Sequence, residues 1–225
     1  MTQQPAGSWP PFPPGTPIPP EHPIPPERPA PPPFPDPPVT PVRVWIDPGQ
    51  WPRRVYERLF EQRIVLANGY LDGEAATRLC AQLLTLDAEG DGPIRLELQG
   101  LDAELSAALT VMGVLQILRV PVLAQAAGRI TGPALGVLAA CRRRRAYPNA
   151  VFALSEPKMS FAGPVTAIAG QEEQVRVMLD TLWRRIAETT GGEIDDIRDD
   201  ASRGRFLTVD EAIAYGLIEE RAAAR

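Results

Sequence analysis

The chain has 225 residues, a formal charge of −5 from 23 Lys+Arg against 28 Asp+Glu, two cysteines and a single histidine, His22. That length suits one ordinary domain of ~100–200 residues plus an extension. The acidic balance argues against nucleic-acid binding, and Cys80 and Cys141, both in apolar surroundings, read as reduced core residues with no disulfide framework or metal site. With no apolar run of ~18 residues to span a membrane and no basic, then apolar, start to mark a signal peptide, a cytoplasmic location is expected.

Residues 1–41 hold 19 of the 27 prolines, and proline, which lacks an amide N–H and fixes φ, forbids a helix or central strand there. The repeated Pro17-Ile18-Pro19-Pro20-Glu21 and Pro23-Ile24-Pro25-Pro26-Glu27 suggest an extended polyproline II arm, either a plain spacer or a segment read by a polyproline-binding partner. Residues 42–55 read as a linker through Trp51-Pro52, and 56–225 as the folded domain.

Within that domain Arg63-Ile64-Val65-Leu66 reads as a short buried strand. Asp72 offers an N-cap to a helix in which Leu79, Cys80, Leu83 and Leu84 recur at helical spacing. Gly90-Asp91-Gly92-Pro93 closes this unit, and Ile94 to Leu98 forms the next strand. Leu105, Leu109, Met112 and Leu115 predict a helix, Val120 to Ala126 a strand, Ala134 to Cys141 a helix and Val151 to Leu154 a strand. The short, isolated run Arg142 to Arg145 reads as a solvated loop. Such alternation, with right-handed crossovers, predicts an α/β fold whose largely parallel sheet is covered by helices. Val175, Met178, Leu179, Leu182, Trp183 and Ile186 then predict a long amphipathic helix beginning near Gln171. Met178, Leu182 and Trp183 are expected to be only partly covered in one protomer and to form an oligomer interface. Thr208-Val209-Asp210-Glu211 is a capping box, with Gly216 placed to stop the last helix.

From Tyr56 to Glu220 the chain resembles the proteolytic subunits of the ATP-dependent Clp protease, ring-forming serine peptidases. The strongest stretch is Thr190-Gly191, Ile194, Ile197, Arg205-Phe206-Leu207-Thr208 and Glu211 to Ile218, similar to that family's "TG…L…I…RFLS…EAVEYGLI" ending. Arg63-Ile64-Val65-Leu66 resembles its "ERIIFL" start and Ala81-Gln82-Leu83-Leu84 its "AQLL" helix. The resemblance implies the Clp protease and crotonase-like fold of repeated β-α-β units with a protruding long helix.

In this register the nucleophilic serine, which precedes an "MGALLLAAG" helix, falls on Gly132. The histidine, after "LPN" and before Gln-Pro, falls on Ser155, since Tyr147-Pro148-Asn149 leads here to Ser155-Glu156-Pro157. The aspartate, just before "RFL", falls on Gly204. The resemblance thus implies a degenerate triad and no catalytic residue, because a serine does not act as a general base near neutral pH, where an imidazole does. Of the implied oxyanion donors, the residue after the nucleophile is Pro133, without an N–H, and the "SPGGS" loop is replaced by Gly100 to Glu104, leaving Ala103 as a possible donor. Losing one such donor costs a working enzyme ~10²–10³-fold in turnover.

Other chemistries are weaker. Ser155 and Lys158 have the S-x-x-K spacing of a Ser-Lys dyad, but Pro157 opposes the helical turn it needs. Cys141 has no histidine partner, and an acyl-CoA thioester site of crotonase type would also miss the N–H absent from Pro133. At the positions the family uses to dock its ATP-dependent unfoldase stand Arg95 and Glu97, charges ill suited to a hydrophobic loop tip. The expectation is a non-catalytic subunit that needs no cofactor or metal and meets itself or an active paralogue in heptameric rings. An active peptidase with a rebuilt site and a free-standing adaptor acting through the polyproline arm are the alternatives.

Overall fold

In the computed structural model the described residues are 53–157 and 165–222. The polyproline arm, most of the linker and Lys158 lie outside them.

Helix α1 (Arg53–Glu61) begins inside the stretch read as linker. It is held by Tyr56, which hydrogen bonds Gln82, and by Phe60, one helical turn on, which packs on the core. Strand β1 (Ile64–Leu71) leads to α2 (Gly73–Glu89), where the Asp72 carboxylate accepts from Ala75 N at 2.8 Å and satisfies one otherwise orphaned amide. Next come β2 (Ile94–Ala103), α3 (Leu105–Ile117), β3 (Val122–Ala127), the short β4 (Arg129–Thr131) and α4 (Ala134–Ala140). β5 (Arg143–Ala146), β6 (Val151–Ala153), α5 (Val165–Thr190), α6 (Ile194–Arg203), β7 (Phe206–Leu207), α7 (Val209–Ala214) and β8 (Glu220–Arg221) complete the order.

The principal sheet runs β1-β2-β3-β5-β8 with every pair parallel. A smaller sheet, β4-β6-β7, pairs β6 with β7 antiparallel. This is the α/β architecture expected from the alternation, with one correction. Arg142 to Arg145 is no solvated loop: Arg143 onward forms β5 between β3 and β8. The guanidinium of Arg144 turns inward, donating to Leu217 O at 2.9 Å and Cys141 O at 3.2 Å and pairing with Glu219 at 3.1 Å. Pairing by strands distant in sequence outweighs the preference of four consecutive charges for water.

Ile94, Leu96 and Leu98 carry the core face of β2, as strand alternation requires. Past Leu98 that parity changes. Asn68 faces Gln99 but Tyr70 faces Asp102, so β2 has one extra residue at Gly100, whose φ is +55°. The bulge makes Leu101 and Ala103 the buried pair and turns the residue between them away from the core. The segment read as a replaced loop is therefore the end of a strand.

Helix α5 starts at Val165, earlier than Gln171, and its 26 residues span ~39 Å. Its C-terminal half packs on α4, all of whose residues are buried. A methyl group at Gly136 would lie 2.3 Å from Leu182 Cδ1 and 2.7 Å from Met112 Sδ, so only glycine lets these helices approach. Of the three residues expected to be only partly covered, Met178 is half-buried, whereas Leu182, 0% exposed, and Trp183, 3% exposed, are already buried within one protomer. The same helical stripe serves the protomer's own core first, and exposure on α5 falls instead on residues such as Val177, 58% exposed.

At the C-terminal end the capping box forms as expected. Thr208 N donates to the Glu211 carboxylate at 2.7 Å, Thr208 Oγ1 accepts from Glu211 N, and Gly216, with φ +80°, follows the helix.

Candidate active site

Three turns far apart in sequence meet at the end of the smaller sheet. The chain leaves β4 and enters α4 through Gly132, whose φ of +56° is the left-handed conformation that glycine accepts without strain. Gly132 N donates to Ala153 O at 3.0 Å, tying this turn to the end of β6. Two residues on stands Ser155, and Leu154 N donates to Arg205 O at 2.9 Å. That bond brings in Gly204, the left-handed C-cap of α6 with φ +67°.

A side chain at Gly132 would begin 3.5 Å from both Ser155 Oγ and Ser155 O, and 3.6 Å from Asp102 Oδ1. Gly132 and Ser155 are thus neighbours, and Gly204 belongs to the turn bonded to Leu154. A sharp strand-to-helix turn that lifts one residue above a sheet end is the geometry of a nucleophile elbow. Here that residue is glycine. Pro133 follows at φ −60°, a conformation suited to a helix start, and supplies no N–H.

Asp102 is the residue that the sequence reading missed. The bulge at Gly100 aims it at this turn, and its Oδ1 accepts from Ala103 N at 2.9 Å. The one amide that the resemblance left as a possible oxyanion donor is therefore already engaged. An acidic residue two after a glycine in the replaced "SPGGS" segment was visible in the sequence; its orientation was not.

Two alternative nucleophiles remain from the sequence, Ser155 and Cys141. Lys158, the partner required by a Ser155 dyad, lies outside the described residues. Cys141 is buried, its thiol donates to Val137 O at 3.4 Å, and burial pushes it up to about 12, against the opposing charges of Arg144 and Arg185. A thiol, not a reactive thiolate, sits there near neutral pH. Beside Gly204 lies a polar cavity of about 410 Å³ lined by Asp200, Arg203, Arg205 and Tyr215. Most of its charges are paired internally: Asp200 binds Arg205 at 2.8 Å and accepts from the Tyr215 hydroxyl at 2.8 Å, and Asp199 binds Arg203 at 3.0 Å. Among the described residues no three His, Cys, Asp or Glu side chains gather as metal ligands.

On the outer face of the principal sheet the two charged positions behave differently from each other. Arg95 is half-exposed, but Glu97 is only 6% exposed, mid-sheet between Leu66 and Gln125. It pairs with Arg95 Nε at 3.1 Å and accepts from the Tyr147 hydroxyl at 3.4 Å. The two charges at these positions are thus one outward arginine and one buried carboxyl. Burial pushes the Glu97 carboxyl above its ordinary range, with Arg95 and Tyr147 pulling it part of the way back.

A group whose folded pKa is raised contributes stability that is complete below its unfolded pKa and lost as pH rises through the folded one. Denaturant midpoints from about pH 4 to about pH 8, spanning the carboxyl range, should therefore show the unmutated chain losing stability relative to Glu97→Gln as pH rises. A difference that stays constant with pH would contradict the buried placement of this carboxyl.

Comparison with known proteins supplies the family context. The Clp protease family model matches residues 49–224. Among curated proteins, the ATP-dependent Clp protease proteolytic subunit 2 of Mycolicibacterium paratuberculosis is 31% identical over 168 residues, 73% of this chain and 84% of that protein. The proteolytic subunits 1 of Mycobacterium bovis and Mycobacterium tuberculosis are each 32% identical over the same coverage. Among the described residues no helix is long and apolar enough to cross a membrane.

Proposed function

The chain belongs to the Clp protease family, and we propose that it serves there as a subunit with no peptidase activity of its own, structural or regulatory within a ring assembly. The observation that carries this reading is Gly132 at the β4–α4 elbow: the residue that the register aligns with the nucleophile has no side chain, and its neighbours are Ser155 and Asp102. The only imidazole of the chain is His22, in the proline-rich segment. Serine attack on a carbonyl needs a base to take the hydroxyl proton and donors for the resulting oxyanion. Among the described residues this site supplies no imidazole, and its one remaining oxyanion donor, Ala103 N, is engaged by Asp102.

Assembly is proposed from the family. The ring is heptameric or double-heptameric, formed by this chain alone or with an active paralogue, in the cytoplasm. Docking of a Clp-type unfoldase on this subunit is disfavoured, because Arg95 stands on the sheet face where an apolar loop tip would have to seat, over the buried Glu97. The proline-rich residues 1–41 are proposed to act as a spacer or as a ligand for a polyproline-binding partner.

The purified protein, free of paralogues, should hydrolyse no fluorogenic peptide and should not be labelled by a fluorophosphonate. Stoichiometric labelling that disappears in Ser155→Ala would overturn this reading and establish a rebuilt serine site.

A further inference from the structure

We propose that Asp102 occupies the oxyanion position of this site, so that the site is blocked by a carboxylate as well as lacking its reacting groups. This deepens the reading of a non-catalytic subunit and rests on it.

The geometry leads there in three steps. Successive amides of an extended strand point to opposite sides, and Glu104 N donates to Leu71 O at 2.9 Å, toward β1. Ala103 N therefore faces the other way, away from β1, and there it meets Asp102 Oδ1 at 2.9 Å. The same oxygen lies 3.6 Å from where a side chain on Gly132 would begin. A single carboxylate oxygen thus lies within reach of both the nucleophile position and the one remaining donor.

The consequence is an inversion of polarity. An acyl-transfer site concentrates N–H donors where negative charge develops. This one places an acceptor there, and the second donor position is Pro133, which has no N–H. A peptide carbonyl brought to this point meets a carboxylate oxygen with its own partial negative charge. The bulge at Gly100 makes the arrangement specific, because without the extra residue Asp102 would fall on the other face of β2.

The test uses a repaired chain carrying Gly132→Ser, Pro133→Met, Ser155→His and Gly204→Asp, compared with the same chain that also carries Asp102→Ala or Asp102→Asn. Fluorophosphonate labelling should be about 100-fold faster with alanine than with aspartate, the lower end of the effect of one oxyanion donor. Asparagine, which keeps an acceptor but drops the charge, should fall between them. Equal labelling within twofold for aspartate and alanine overturns the proposal. Amide exchange at Ala103 in the otherwise unmutated chain gives a second readout, which decides the matter if no repaired chain is labelled. Exchange at least tenfold faster in Asp102→Ala, with protection kept in Asp102→Asn, supports the proposal, and unchanged exchange in Asp102→Ala overturns it. Labelling of the unmutated chain would instead defeat the non-catalytic reading, a result separate from both of these.

Discussion

Leu182→Asp should leave no cooperatively folded protomer, rather than merely loosen an assembly. Leu182 is fully buried, and its Cδ1 nests against the bare backbone of Gly136, in a contact so close that a methyl group there would lie 2.3 Å away. Truncating such a leucine to alanine costs about 2–5 kcal/mol. An aspartate adds the desolvation of a charge with no partner, taking the total past about 5 kcal/mol, a large part of the ~5–15 kcal/mol that holds an ordinary domain together. Circular dichroism and thermal melts should show loss of the native state. By contrast Val177→Glu, on the exposed side of α5, should change protomer stability by no more than about 0.5 kcal/mol, while lowering the assembled mass in light scattering. A Leu182→Asp chain that melts like the parent would contradict the packing of α5 on α4.

The second large effect is an absence of activity with a definite size. Gly132→Ser alone should remain about 10⁶-fold below a working serine peptidase, because a serine without its histidine is impaired nearly as much as a site stripped of its whole triad. Two features of this site worsen the outcome. The new serine must hold φ +56°, which costs a non-glycine residue about 1–2 kcal/mol, and its oxygen arrives beside Ser155 and Asp102 rather than an imidazole. Steady-state peptide hydrolysis measures this directly. Turnover within about 10³-fold of an active family member would show that a base had been found elsewhere in the chain.

Elements whose signals are local were legible in the amino-acid sequence itself. Asp72 caps α2 because its carboxylate reaches an amide three residues away, and Thr208 with Glu211 closes a box of the same span. Strand ends and charged runs were not legible in this way. Arg143 to Ala146 is a strand because β3 and β8 flank it and Leu217 O receives Arg144, with β8 partners 75 residues distant in the chain. The burial of Glu97 likewise left no mark in the spacing, because the neighbouring strands and Tyr147 cover it. The long helix shows both cases at once. Its apolar stripe was clear, but the stripe could not say which surface it meets, and the protomer's own core takes Leu182, against Gly136 of α4, and Trp183.

What the chain lacks was settled by its sequence. Position 132 has no hydroxyl, residue 133 has no N–H, and no imidazole lies beyond His22; these are covalent facts that no fold can alter. What now stands in those places was decided only by the tertiary structure. The engagement of Ala103 N by Asp102 depends on one extra residue in β2, and the placing of that pair beside Gly132 depends on where β4 and β6 bring their ends. Hydrogen bonds and burial act over ångströms between residues tens of positions apart, and spacing along the chain carries no record of that approach.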